Sequence, residues 1–271
     1  MKTKPQRPRR RHLALLLGVA TALSSACTAT PELTITNDTA GHGDIDIVLS
    51  DFLVSYVRDL SATIGVQSDR VFDPAAVRGQ VREFPEIELQ RVAVPSAERL
   101  EMTIAFEDLA AALSAGLSRG EGAAAGAEAP ELLETRREPV NGETQVTLRL
   151  ALTPELLDAV VALSPWDGTL LADILLPPDR TDMTGTDYVE YLVWALEEYE
   201  DPRVVRGALE AATVDVVIET PGRIVSQRGG RVREASGAAG APAQAVRFRI
   251  PVVDLVTLEE ARVYELRYVT P

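Results

Sequence analysis

Apolar side chains recur at every second position in run after run of this chain, and that period of two constrains it to sheet more firmly than any other feature. Ile45, Ile47 and Leu49 stand opposite Asp46. The same alternation returns in Met102, Ile104 and Phe106, and again in Val146, Leu148 and Leu150. Val246, Phe248 and Ile250 lie opposite Arg247 and Arg249, and Tyr264, Leu266 and Tyr268 opposite Glu265 and Arg267. Strands of this kind have one dry and one wet face, the signature of an antiparallel sheet covered on one side. An earlier extended run, Leu33 to Thr36, is separated from the Ile45 strand by a turn-forming stretch from Asn37 to Gly43. Between Ile87 and Val94 the apolar phase changes near Gln90, as a β-bulge would require.

Spacings of three and four mark the helices that would cover the dry face. Ser50 is placed to cap a helix with the stripe Leu53, Tyr56, Val57, Leu60 and Ile64. Thr153-Pro154 and Asp201-Pro202 read as N-cap and first helical residue, ahead of Leu156, Leu157, Val160 and Val161 and of Val204, Val205 and Leu209. Tyr188, Leu192, Ala195, Leu196 and Tyr199 form a further stripe. Strands in runs with helices at irregular intervals predict an α+β fold: an antiparallel sheet with one face covered by amphipathic helices. Two Gly/Ala-rich stretches without apolar periodicity, near 118–130 and 229–245, are expected as long mobile loops within a single domain over 32–271.

The first 26 residues differ from all of this. Lys2, Lys4, Arg7, Arg9, Arg10 and Arg11 precede an uncharged run from Leu13 to Ala26, too short for the roughly 20 apolar residues that span a bilayer. The run closes on Leu23-Ser24-Ser25-Ala26-Cys27. That segment resembles the bacterial lipobox, with Leu23 one position further from the cysteine than usual, a relaxation familiar in spirochaete-like lipoproteins. The resemblance implies a signal peptide over 1–26, acylation of Cys27, and a short tether over 27–31. The alternative is an ordinary secretory signal whose cysteine is incidental.

Removing the leader takes six of the 27 basic residues and none of the 41 acids, leaving 21 bases against 41 acids and a formal charge of −20. A body this acidic repels nucleic-acid phosphates and anionic head groups, so neither nucleic acid nor lipid charge is an expected partner. Attachment to a membrane then falls to the lipid anchor. Cys27 is the sole cysteine, which excludes disulfides and leaves stability to the core.

Chemistry is narrowed mostly by exclusion. The body has no lysine, so no lysine P-loop, Schiff base or Ser-Lys dyad is available. His42, between Gly41 and Gly43 in the expected turn, is its sole histidine, which leaves no paired-histidine metal site on one chain. Asp38-Thr39-Ala40 resembles the Asp-Thr-Gly/Ala turn of aspartic proteases, although an aspartate in a turn also serves local hydrogen bonding. Asp179, Asp182 and Asp187 offer oxygens at a spacing that is not the EF-hand pattern, which favours a solvated acidic loop over a calcium site. With 41 acids, pairs of carboxylates are inevitable and identify no glycosidase. Tyr188, Leu192 and Trp194 are the candidate ligand-binding residues, set against plain core packing.

Leu33-Thr34-Ile35-Thr36, the turn after it, Gly43 to Leu49, Val214 to Ile218, Pro221-Gly222 and Val246 to Pro251, together with Cys27, resemble the LppM-type bacterial lipoproteins. This chain departs from them in its long intervening segments and in lacking the C-terminal membrane helix that many possess. The resemblance implies a lipid-anchored α+β domain outside the cytoplasm, periplasmic or at the cell surface, that binds an apolar ligand or another envelope protein and brings no catalytic residues. The expectation is therefore a non-enzymatic, membrane-anchored envelope lipoprotein with no cofactor and no metal; the alternative is an exported carboxylate-dependent hydrolase.

Overall fold

The computed structural model describes residues 27–37, 39–63, 71–82, 86–111, 133–154, 183–234 and 244–270. Two sheets carry the architecture. The larger is built from β1 (Cys27–Asn37), β2 (Ala40–Leu49), β3 (Ile87–Ser96), β4 (Arg99–Phe106), β7 (Thr213–Thr220), β9 (Arg231–Glu234) and β10 (Gln244–Pro251), in the order β3-β4-β2-β1-β7-β10-β9. The smaller joins β5 (Leu133–Val140), β6 (Glu143–Leu152), β11 (Arg262–Thr270) and β8 (Arg223–Arg228), in the order β5-β6-β11-β8.

The expected purely antiparallel sheet is corrected at the centre of the larger one. Strand β1 runs antiparallel to β2 but parallel to β7, with Thr28 beside Thr213 and Leu33 beside Ile218. Alternation reports which face of a strand is dry and carries no information about the direction of its neighbour. Nor is there a tether over 27–31: β1 starts at Cys27, and Pro31 pairs with Ile45 while Ala29, 4% exposed, pairs with Ile47. The turn expected over Asn37 to Gly43 shrinks around Thr39, because Gly41, His42 and Gly43 pair with Ile35, Thr34 and Leu33 within the hairpin. His42 is thus a half-buried strand residue between Thr34 and Ala105. The phase change near Gln90 is a break in register between Leu89 and Arg91.

Within the stretch near 229–245, Arg231–Glu234 forms β9 and Gln244–Pro251 forms β10, and 235–243 lies outside the described residues. At Gly229-Gly230 the chain leaves the smaller sheet for the larger. Gly229 has φ +84°, and a Cβ on Gly230 would sit 2.5 Å from Val246 Cγ1, so the crossing requires glycine. The stretch 118–130 and the helix expected after Thr153-Pro154 lie outside the described residues.

The helices are α1 (Asp51–Thr63), α2 (Pro74–Val81), α3 (Gly185–Leu196), α4 (Pro202–Ala211) and α5 (Val252–Val256). Helix α1 begins after Ser50, yet the buried Ser50 hydroxyl makes no capping bond and has no partner among the described residues. Asp201 does cap α4, accepting from the Arg203 amide at 2.8 Å with Pro202 in the first turn. Thr184 and Asp187 cap α3 reciprocally in a capping box. Buried side chains of both sheets and of the helices form one cluster, which includes Ile47, Leu53, Leu100, Leu148, Leu192, Val205 and Leu266. Phe248 of the larger sheet meets Tyr264 of the smaller edge to face, ring centres 5.6 Å apart.

Candidate functional site

Helix α3 carries the three residues expected to line a ligand site, and its geometry separates them. Tyr188 and Leu192 stand one turn apart and are completely buried, whereas Trp194 is 67% exposed. Two residues of helix rotate the chain by about 200°, so Trp194 faces away from the stripe. No common pocket joins the three. Trp194 instead approaches Tyr191, with ring centres 6.4 Å apart. On the inner side, Tyr56 of α1 packs edge to face on Tyr199 at 5.3 Å. Burial, then the neighbouring Tyr191 and Tyr199 phenols, pushes the Tyr56 hydroxyl up to about 12. Tyr56 therefore stays a neutral phenol at physiological pH and serves packing.

The face of the larger sheet opposite the core is polar, and its strands align charges into pairs. Arg99 on β4 reaches Asp46 on β2 with two bonds of 2.9 Å and Glu101 at 3.2 Å, and Arg91 on β3 reaches Glu101 at 3.3 Å. Thr103 donates to Asp44 at 2.7 Å, and Arg233 on β9 meets Glu32 on β1 at 2.7 Å. A shallow cleft of about 310 Å³ lies over this lattice, lined by Thr30, Glu32, Asp44, Asp46 and Arg99 among others.

Asp215 on β7 is the feature that sequence reasoning missed. Its side chain is 2% exposed, and it accepts from both Arg247 (2.6 and 3.1 Å) and Arg249 (3.0 and 3.3 Å) of β10. Burial pushes the carboxyl pKa up, but the hydrogen bonds and charges of the two guanidinium groups outweigh it and hold the group below its ordinary value. A carboxylate kept ionised in this way suits a clamp between strands and not a general acid. The signal was present in the sequence: an acid inside the apolar run Val214 to Ile218 is buried only if arginines reach it, and β10 alternates two of them.

Two further clefts lie along β3. One, about 480 Å³, runs between α2 and β3 with Arg78, Arg82 and Arg91 over Val81, Ile87 and Leu89. The other, about 370 Å³, gathers Glu86, Glu88, Glu107 and Asp108 beside Phe106. Asp108 is engaged there, accepting from the Ala111 amide at 3.0 Å. Of the three aspartates weighed for calcium, Asp187 spends its carboxylate on the α3 cap, and Asp179 and Asp182 lie outside the described residues, as does Asp38. No group of three His, Cys, Asp or Glu residues is placed to hold a metal ion among the described residues. No helix among them is long and apolar enough to cross a membrane.

Fold and surface together define a mixed helix-and-sheet protein, rich in strands, with a large mixed sheet whose polar face is laced with ion pairs. No protein-family model matches the chain, and no curated protein matches it. Among solved structures, the NMR structure of the folded domain of LppM from Mycobacterium tuberculosis aligns with 99% of this chain and 98% of that one, at 11% identity and a TM-score of 0.34.

Proposed function

We propose that the chain is a membrane-anchored envelope lipoprotein: residues 1–26 direct export and are removed, Cys27 is acylated, and the domain beyond it is a non-enzymatic module that binds an apolar ligand or an envelope protein outside the cytoplasm. The observation that carries this reading is the order of residues ahead of the domain. The basic segment, the uncharged run and the small residues Ser24, Ser25 and Ala26 lead to the sole cysteine, and the folded domain already includes that residue, which pairs with Leu49.

Two features support the non-catalytic part of the reading. The nearly buried Asp215 is held ionised by two arginines, and the other close carboxylate contacts on the sheet face are to arginine or threonine. The ion pairs of the larger sheet and the clefts along β3 supply polar surface for partners. The acidic body argues against nucleic acid as one of them.

Cys27→Ser tests the anchor. Cells making the wild-type chain are expected to incorporate a fatty-acid probe into it and to hold it in the membrane fraction; the variant is expected to lose the label and move to the soluble fraction, because the acidic body offers no electrostatic substitute. A wild-type chain that carries no lipid label overturns the reading.

A further inference from the structure

We propose that the acylated domain stands directly on the bilayer, on one end of its larger sheet and with its strands rising from the membrane, with no flexible tether between lipid and fold; this rests on the lipoprotein reading above. Strand pairing includes the anchor residue itself. Cys27 lies opposite Leu49, and Thr28 is held between Val48 on one side and Thr213 on the other. A flexible spacer separates its ends by about 5–6 Å times the square root of its length, and here that length is zero. The lipid chains of residue 27 enter the bilayer at the headgroup boundary, so whatever is level with residue 27 in the sheet is level with the headgroups.

The ladder identifies that level. Arg99 of β4 pairs with Val48, Pro251 of β10 pairs with Thr213, and the turn between β3 and β4 closes on β2 through the Leu49 amide, which donates to the Glu98 carbonyl at 2.8 Å. Helix α4 ends at the same level, where the Val252 amide donates to the Ala212 carbonyl at 3.0 Å. Five adjacent strands spaced about 4.8 Å apart make a footprint about 20 Å wide. The side chains there suit an uncharged lipid surface: Val48 is 38% exposed, Ala211 is exposed, and Arg99 is neutralised by Asp46 and Glu101. Asp51 and Glu98 add negative charge, so the footprint needs no anionic lipid. The far end, at Thr39 and Glu107, then stands about 30 Å above the bilayer, at roughly 3.3 Å per strand residue. The four-carboxylate cleft beside Phe106 is carried there, facing away from the membrane.

The test uses the acylated protein, whose Cys27 is blocked, in phosphatidylcholine vesicles containing a headgroup nitroxide lipid. A fluorophore is placed singly at Val48→Cys, Ala211→Cys or Glu107→Cys, and each labelled protein is checked for the wild-type thermal transition. Quenching at positions 48 and 211 is expected to exceed that at 107 several-fold. Inserting a Gly-Ser spacer of about twelve residues after Cys27, which lets the ends separate by about 20 Å, is expected to erase the difference while leaving the lipid label and vesicle binding unchanged. Equal quenching at both ends of a lipid-labelled protein, or a difference that survives the spacer, overturns the standing orientation alone. A wild-type protein without lipid label overturns the lipoprotein reading, and the orientation with it. With two probes at the membrane end, one that disturbs folding leaves the other to decide.

Discussion

Asp215 is buried at the cost of its hydration, and two guanidinium groups from the neighbouring strand offset that cost. Because Arg247 and Arg249 keep about half of their own surface in water, removing their partner strands no buried cation. Asp215→Asn is therefore expected to lower stability by about 1–3 kcal/mol at neutral pH, less than the loss from a fully desolvated pair. The folded-state pKa is depressed, so this contribution is complete above the ordinary carboxylate range and is lost as the pH falls through the folded value. Urea midpoints of wild type and variant should differ at pH 7 and converge in acid; a gap that is constant with pH would contradict the clamp. On α3, Leu192→Ala should cost about 2–5 kcal/mol, whereas Trp194→Ala should stay within about 0.5 kcal/mol. Thermal unfolding of the two variants checks the division, and comparable losses would mean that the helix is rotated. That division was legible from spacing alone, since Tyr188 and Leu192 are four apart and Trp194 is out of phase.

Among the described residues, several single elements followed their local signals. Strand β11 buries Tyr264, Leu266 and Tyr268 as the alternation predicts, and turns Arg267 outward to Glu265 at 2.7 Å. Leu266→Ala should cost about 2–5 kcal/mol and Arg267→Ala little, because an exposed ion pair contributes at most about 1 kcal/mol; equal, small shifts in the thermal midpoint would refute the phase of the strand. For α3 the capping box was readable as Thr184 with an acid three residues on, yet Asp187 was weighed as a calcium ligand. Thr184→Ala should destabilise by about 1 kcal/mol, and calcium should leave the melting temperature of the wild type unchanged. Strand β5 went unpredicted although its turn was marked: Asn141 and Gly142, at φ 53° and 86°, are the residues that a tight hairpin between β5 and β6 demands. Its residues, Leu133 to Val140, alternate charges more than apolar groups at this edge of the sheet, so a search for apolar periodicity passes over them.

Across the whole molecule, one apolar cluster draws on both sheets and on the helices, and Phe248 and Tyr264 join the sheets through their rings. Unfolding is accordingly expected in a single transition, with the near-ultraviolet and far-ultraviolet signals coincident; Phe248→Ala and Leu53→Ala should each move that one midpoint. Two resolved transitions would mean that the sheets are separate cooperative units. The sequence by itself determined which side of most strands is dry, where α3 and α4 begin, and that β3 breaks register near Gln90. Each of these is written within a few neighbouring residues, where steric period and hydrogen-bonding chemistry act locally. The tertiary structure alone decided that β1 lies parallel to β7, that the strands divide between two sheets, that Asp215 has two arginine partners, and that Cys27 is itself paired in a strand. Those outcomes depend on residues such as Thr28 and Thr213, far apart in the chain, whose adjacency arises only when the apolar faces of many elements are buried together.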